Sequence, residues 1–143
     1  MAIITLHRRA ETDYVMGLNA LDNADADDTF VDFAGYTLQQ SVEKLLKFQL
    51  QSRGVKFPYK HDIDLLLDIM DDDSNTYNVP DWVREHAHTL TRYEAQTRYS
   101  SVKIASKGLL RRLYVNQKEF IDSLRSNNEP VEDDEFSASE QFS

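Results

Sequence analysis

The sequence predicts an all-α domain, an up-and-down bundle of four to five antiparallel helices. Apolar residues recur at three- and four-residue spacings in five separate segments, the period of an amphipathic helix. Only four Gly and three Pro occur in 143 residues, too few for the tight turns of an all-β fold. The length suits one domain with a single core.

The first helix is expected over about 9–23, where Tyr14, Leu18 and Leu21 form an apolar stripe. Asp22 to Asp28 reads as an exposed acidic connection. The second helix covers about 29–53. Val31, Ala34, Leu38, Val42 and Leu45 step along one face, and Phe30, Phe33, Leu46 and Leu50 widen it. Its opposite face carries Gln40, Lys44, Lys47 and Gln51, and Glu43 precedes Lys47 by four, the favourable order for a helical ion pair. Gly54 is a good stop, with Pro58 beyond it.

The third helix covers about 62–71, capped by Asp62, with Ile63, Leu66, Leu67 and Met70 facing inward. The fourth runs from Pro80 to about 98, its inward face formed by Val83, His86, Ala87, Leu90, Tyr93 and Thr97. The fifth spans about 101–124, capped by Ser100 or Ser101. Leu109, Leu110, Leu113, Tyr114, Phe120, Ile121 and Leu124 supply its stripe, and Gly108 inside it costs up to about 1 kcal/mol against Ala.

The domain therefore spans 1–124. Residues 125–143 hold six acidic groups against Arg125 alone, more than half of the net charge of −9, and read as an acidic, disordered tail. The chain has no Cys, which excludes disulfides and thiolate metal sites and fits a reducing compartment. Its first residues put charge after the apolar positions, the reverse of a signal peptide. No apolar run reaches the roughly 18–20 residues of a membrane span. A cytoplasmic location with no membrane contact is expected.

Chemistry is sparse. From Arg98 to Arg112 there are five cations, Arg98, Lys103, Lys107, Arg111 and Arg112, and no carboxylate. Lys103, Lys107 and Arg111, four apart, share a helical face. An anionic partner such as a nucleotide, an RNA backbone or an acidic protein would offset their mutual repulsion. An ordinary solvated face, or the acidic tail folded back upon it, would explain the run as well. Asp71, Asp73 and Asn75 match the first positions of a calcium loop, but Thr76 stands where Gly is needed and Trp82 where the bidentate Glu is needed. His86 and His88 are two apart and cannot chelate one metal from a helix. His61, at a helix start, can orient a ligand or help the cap. No Gly-x-Ser-x-Gly elbow and no P-loop occurs. No metal or cofactor is expected.

Three short motifs occur in order. They are Gln39-Gln40-x-x-Glu43-Lys44-x-x-Lys47 on the second helix, His61-Asp62-Ile63 opening the third and Arg98-Tyr99 closing the fourth. With the helix order, they make the chain resemble the HEPN domain family from about Phe33 to Leu124. The resemblance implies a helical bundle, like nucleotidyltransferase substrate-binding subunits, that forms a homodimer and works with a small nucleotidyltransferase. It also implies a link to nucleotides or RNA. Many members cleave RNA with an Arg followed, after four to six residues, by a His, which supply a stabilising cation and an acid/base group. In this chain three residues separate Arg84 from His88, seven separate Arg53 from His61, and no His follows Arg98.

The sequence is therefore read as a binding subunit, not an enzyme, for a nucleotide, another anionic ligand or a partner nucleotidyltransferase. The candidate ligand-binding residues are Gln40, Lys44, Lys47, His61, Asp62, Arg98, Lys103 and Lys107, with Arg98 and Lys44 as phosphate contacts. The alternatives are a metal-independent ribonuclease toxin of a toxin–antitoxin pair and a protein-interaction module without a small-molecule ligand.

Overall fold

The computed structural model describes residues 5–25, 27–96 and 104–125. The expected acidic tail beyond Arg125, and with it Thr97, Arg98, Tyr99, Ser100, Ser101 and Lys103, lies outside the described residues. Among the described residues there are five helices and no strand: α1 (Leu6–Asp22), α2 (Thr29–Ser52), α3 (Ile63–Asp72), α4 (Asp81–Gln96) and α5 (Lys107–Arg125). None is long and apolar enough to cross a membrane.

The central element is α2, which packs against all four others. Its stripe of Val31, Ala34, Leu38, Val42, Leu45, Leu46 and Leu50 is buried to 3% exposure or less. The four long helices alternate in direction. Against α2, α1 is antiparallel, because Gly17 lies at Thr37 and Ala10 at Ser41. So is α4, with Gly35 at Tyr93 and Asn78, just before the helix, at Gln49. Parallel to it runs α5, with Tyr114 on Ala34 and Gln117 on Ser41. The short α3 packs against α2 and α4.

Two glycines let aromatic rings enter the helix interfaces. A Cβ at Gly17 would lie 1.8 Å from the Tyr114 hydroxyl, and one at Gly35 would lie 2.1 Å from the Tyr93 ring. The Tyr114 hydroxyl donates to the Ala34 carbonyl at 2.7 Å. Burial raises both phenols, that of Tyr93 to about 12. Polar groups are threaded through the same seam: Ser41 donates to the Ala10 carbonyl at 2.7 Å and accepts from Gln117 at 2.8 Å, and His7 Nε2 donates to the Ile121 carbonyl at 2.9 Å.

The helix ends follow local chemistry. Thr5 caps α1 and Asp62 caps α3, their side chains accepting from Arg8 N and Leu65 N at 3.1 Å each. Gly54, with φ +72°, ends α2. Its N–H bonds to Gln51 O and that of Val55 to Leu50 O, at 3.1 and 2.9 Å. This is the Schellman pattern that only a residue at ease with positive φ completes.

Two expectations are corrected. First, α5 begins at Lys107, and its cap is Ser106, whose Oγ accepts from Leu109 N at 3.0 Å. Gly108 is thus in the first turn, where the mid-helix cost largely lapses. Residues 104–106 are not helical, and the expected face shared by Lys103 and Lys107 rests on Lys103, outside the described residues. Second, Phe30 and Phe33 do not widen the buried stripe of α2: they are exposed. The expected α1 stripe holds: Leu21 is buried and Tyr14 and Leu18 pack against the core, where they also border a shallow groove of about 260 Å³ shared with Arg111, Tyr114 and Val115 of α5.

Candidate functional site

The sequence placed Gln40, Lys44, Lys47 and Gln51 on a polar face opposite the core. The structure sinks part of that face. Gln39, Glu43 and Lys47 lie four apart on one line of α2 and are all buried. The Glu43 side chain is 3% exposed. A carboxylate there is tolerable only if its lone pairs are met. Gln39 Nε2 donates to Oε1 at 2.7 Å, Lys47 Nζ to Oε2 at 2.6 Å, and His61 Nδ1 lies 3.0 and 3.2 Å from the two oxygens.

His61 arrives by a fold-back. After Gly54 the chain returns along α2, so that the residue just before the α3 cap meets the middle of α2. The ring remains half exposed, at 49%. Lys47 is 11% exposed, its ammonium 5.6 Å from the centre of the Phe57 ring on the same returning segment. Cation–π attraction and the Glu43 carboxylate thus hold it from two sides.

On the α1 side, Lys44 donates to Asp13 at 2.5 Å. The Asp13 carboxyl is held above its ordinary range, because burial outweighs the hydrogen bond from Lys44. Gln40 Nε2 donates to Gln39 Oε1 at 2.7 Å. One patch therefore gathers Gln40, Lys44, Lys47 and His61. Asp62 stands beside it but is spent on the α3 cap.

Lys107 is elsewhere, at the start of α5. It pairs with Asp25, and one turn later Arg111 pairs with Asp22 at 3.2 Å. The hydrogen bond from Lys107 holds the Asp25 carboxyl below its ordinary range. The acidic connection between α1 and α2 thus supplies counter-charge for the basic run from within the chain. Arg98 and Lys103 lie outside the described residues.

The Asp71–Asn75 segment organises itself. Asp73 accepts from Asn75 and from the Tyr77 hydroxyl, and Asp71 takes both terminal nitrogens of Arg84 at 2.8 and 3.2 Å. His88, four residues after Arg84, has its Nδ1 3.9 Å from Asp64. The Arg84–His88 pair, one residue short of the ribonuclease spacing, is therefore turned toward carboxylates of α3.

Sequence reasoning missed Gln39, Glu43 and Asp13 as members of the patch. The line Gln39, Glu43, Lys47 carried a signal, since its spacing of four puts an acid between two donors. Asp13 carried none, lying 31 residues from Lys44.

A family model described as HEPN domain matches residues 6–127, most of the chain. No curated protein and no solved structure matches it.

Proposed function

The chain belongs to the HEPN family, and from that premise we propose that it is a non-catalytic binding subunit that acts through a partner protein. HEPN domains serve as nucleotide- or RNA-related or protein-interaction modules. The observation that carries the choice is charge neutralisation. Lys44, Lys47 and Lys107 each hold a carboxylate, and Arg84 is engaged by both oxygens of Asp71. A phosphodiester-cleaving site needs a cation free to meet developing negative charge and a His beside it, and in the Arg84–His88 pair the cation is held by Asp71.

The partner fitting this reading is a small nucleotidyltransferase, and the working form is a homodimer in the cytoplasm. The apolar groove between α1 and α5, with Val15 and Val115 exposed beside it, suits the contact between copies. A second reading keeps a nucleotide or another anion as ligand. It is favoured by the gathering of Lys44, Lys47 and His61 on one patch, and it would draw on Arg98 and Lys103.

Incubating the protein with RNA in EDTA tests the main reading, which expects the RNA to stay intact. Cleavage abolished by Arg84→Ala would overturn it in favour of the ribonuclease alternative. Titration with ATP, followed by NMR, separates the other two readings: saturable shifts confined to Lys44, Lys47 and His61 would establish the nucleotide reading. Light scattering tests the dimer, with Val115→Asp expected to give monomer.

A further inference from the structure

A second basic run lies ahead of α3. Residues 44–61 hold five cations, Lys44, Lys47, Arg53, Lys56 and Lys60, and no carboxylate, in a chain of net charge −9. Lys44 pairs with Asp13 and Lys47 with Glu43. Arg53 is held on the Thr76 carbonyl at 3.2 Å and over the Tyr77 ring. Lys56 and Lys60 are exposed, and no carboxylate among the described residues pairs with them.

Between these two lysines stands Tyr59, at 83% the most exposed large apolar side chain among the described residues. Every other described tyrosine is buried or half-buried. The backbone presents it: the Lys60 N–H bonds to the Pro58 carbonyl at 2.9 Å, closing a three-residue turn with Tyr59 at its tip. The loop is tied on both sides of that tip. Val55 N–H holds Leu50 O, Phe57 packs against the core, and His61 Nδ1 lies on Glu43. A lone exposed ring is ordinary. A ring on a tied turn, flanked by two cations without counter-charge, makes a platform with charge at both edges.

The geometry points to this 56–60 tip as a binding site for single-stranded nucleic acid. An unstacked base lays its face on Tyr59, and the phosphates to either side meet Lys56 and Lys60. The two lysines need not converge on one point. A strand carries a charge at every nucleotide, and the chain from 56 to 60 spans at most about 14 Å. A duplex fits poorly, because its base faces are closed by stacking. A flat anionic surface such as a bilayer would also meet the exposed Asp64 and Asp68 of α3, whereas a strand can follow the loop alone. Asp62, the carboxylate nearest in sequence, is turned to the α3 cap. The site needs neither the α2 patch nor a partner protein.

The test uses the full chain and a short fluorescein-labelled oligothymidine strand, which has no 2′-hydroxyl and so stays intact. Fluorescence anisotropy at low salt should show saturable binding. Tyr59→Ala should weaken it at least about fivefold, as for one lost stacked base, while Tyr59→Phe, which keeps the ring, should bind like the unaltered chain. Lys56→Gln with Lys60→Gln should reduce the slope of log affinity against log salt by about 1.4, for two phosphate contacts on a single strand. In the unaltered chain the strand should also shift the NMR signals of the Tyr59 ring, a readout that needs no variant. Absence of saturable binding, unmoved Tyr59 signals, or undiminished binding by Tyr59→Ala would each overturn the inference. So would polyglutamate or a DNA duplex bound as tightly as the strand, which would reduce the tip to a plain patch of charge. Co-sedimentation with phosphatidylserine vesicles, without binding of the strand, would overturn it in favour of a membrane surface.

Discussion

Two places in this molecule set cations against carboxylates, and they differ in nearly every physical respect. In the middle of α2, Lys47 and Glu43 are 11% and 3% exposed, and Glu43 is shared with Gln39 and His61. At the start of α5, Lys107 and Asp25 are 32% and 89% exposed and pair with each other. In sequence, both were simply lysines spaced along helices. Burial makes the first a fixed part of the architecture. Exposure leaves the second a loose tether between α5 and the acidic connection.

The sharpest way to break this contrast is Glu43→Ala. It leaves Lys47, Gln39 and His61 without their common acceptor, and removing one partner of a buried pair costs about 3–5 kcal/mol. Urea unfolding should show a midpoint far below that of the unaltered chain. A loss under about 1 kcal/mol would place Glu43 with the exposed pairs. Replacing both partners, Glu43→Leu with Lys47→Met, should recover much of the loss, because a matched apolar pair leaves no orphaned charge.

A purely steric reference comes next. Gly35→Ala puts a Cβ 2.1 Å from the Tyr93 ring, where neither ring nor helix backbone can yield cheaply. Overpacking of this kind costs about 1–3 kcal/mol. Unlike the loss in Glu43→Ala, it should be unchanged when Lys47→Met is added.

How far these features could be read beforehand follows the same division. The helices were legible because their stripes are local: Val31 to Leu50 and Ile63 to Met70 give the period directly, and Asp62 and Gly54 mark an end each. The start of α5 was not, because Ser100, Ser101 and Ser106 are equally able caps. What selects Ser106 is the packing of Ala105 and Leu110 into the core, which no local pattern reports. Phe30 and Phe33 misled for a related reason. They sit on the edge of the stripe, where the spacing alone does not say whether a neighbouring element covers them. At the site, Glu43–Lys47 was legible as a spacing of four. His61 on Glu43 and Asp13 on Lys44 depend on the fold-back after Gly54 and on helix pairing, at separations of 18 and 31 residues.

Lys44–Asp13 lies between the two extremes, and pH separates it from both. Burial raises the Asp13 carboxyl in the folded chain above its unfolded value. In the window between those values the native state holds the extra proton, so this group adds stability as pH falls and withdraws it as pH rises. Asp13→Asn removes that contribution. Between about pH 7 and about pH 4.5, the difference in urea midpoint between unaltered protein and variant should therefore move in favour of the unaltered protein. A shift in the opposite direction would mean that Lys44 governs the carboxyl after all.

The smallest effect belongs to the tether. Asp22→Asn with Asp25→Asn removes the carboxylates facing Arg111 and Lys107. Exposed pairs contribute little to stability, so the doubly altered chain should show a urea midpoint close to that of the original. In 1 M salt, where charges are screened over about 3 Å, even that difference should vanish, whereas the loss in Glu43→Ala should persist. The consequence is functional as well as energetic. Cations held so weakly are released at little cost to any stronger anion, so what keeps the start of α5 quiet is the local concentration of Asp22 and Asp25. If the double substitution left the affinity for an RNA oligomer unchanged, the acidic connection would not be acting as a competitor. A rise in affinity would mark α5, and not the α2 patch, as a surface where an anion could bind.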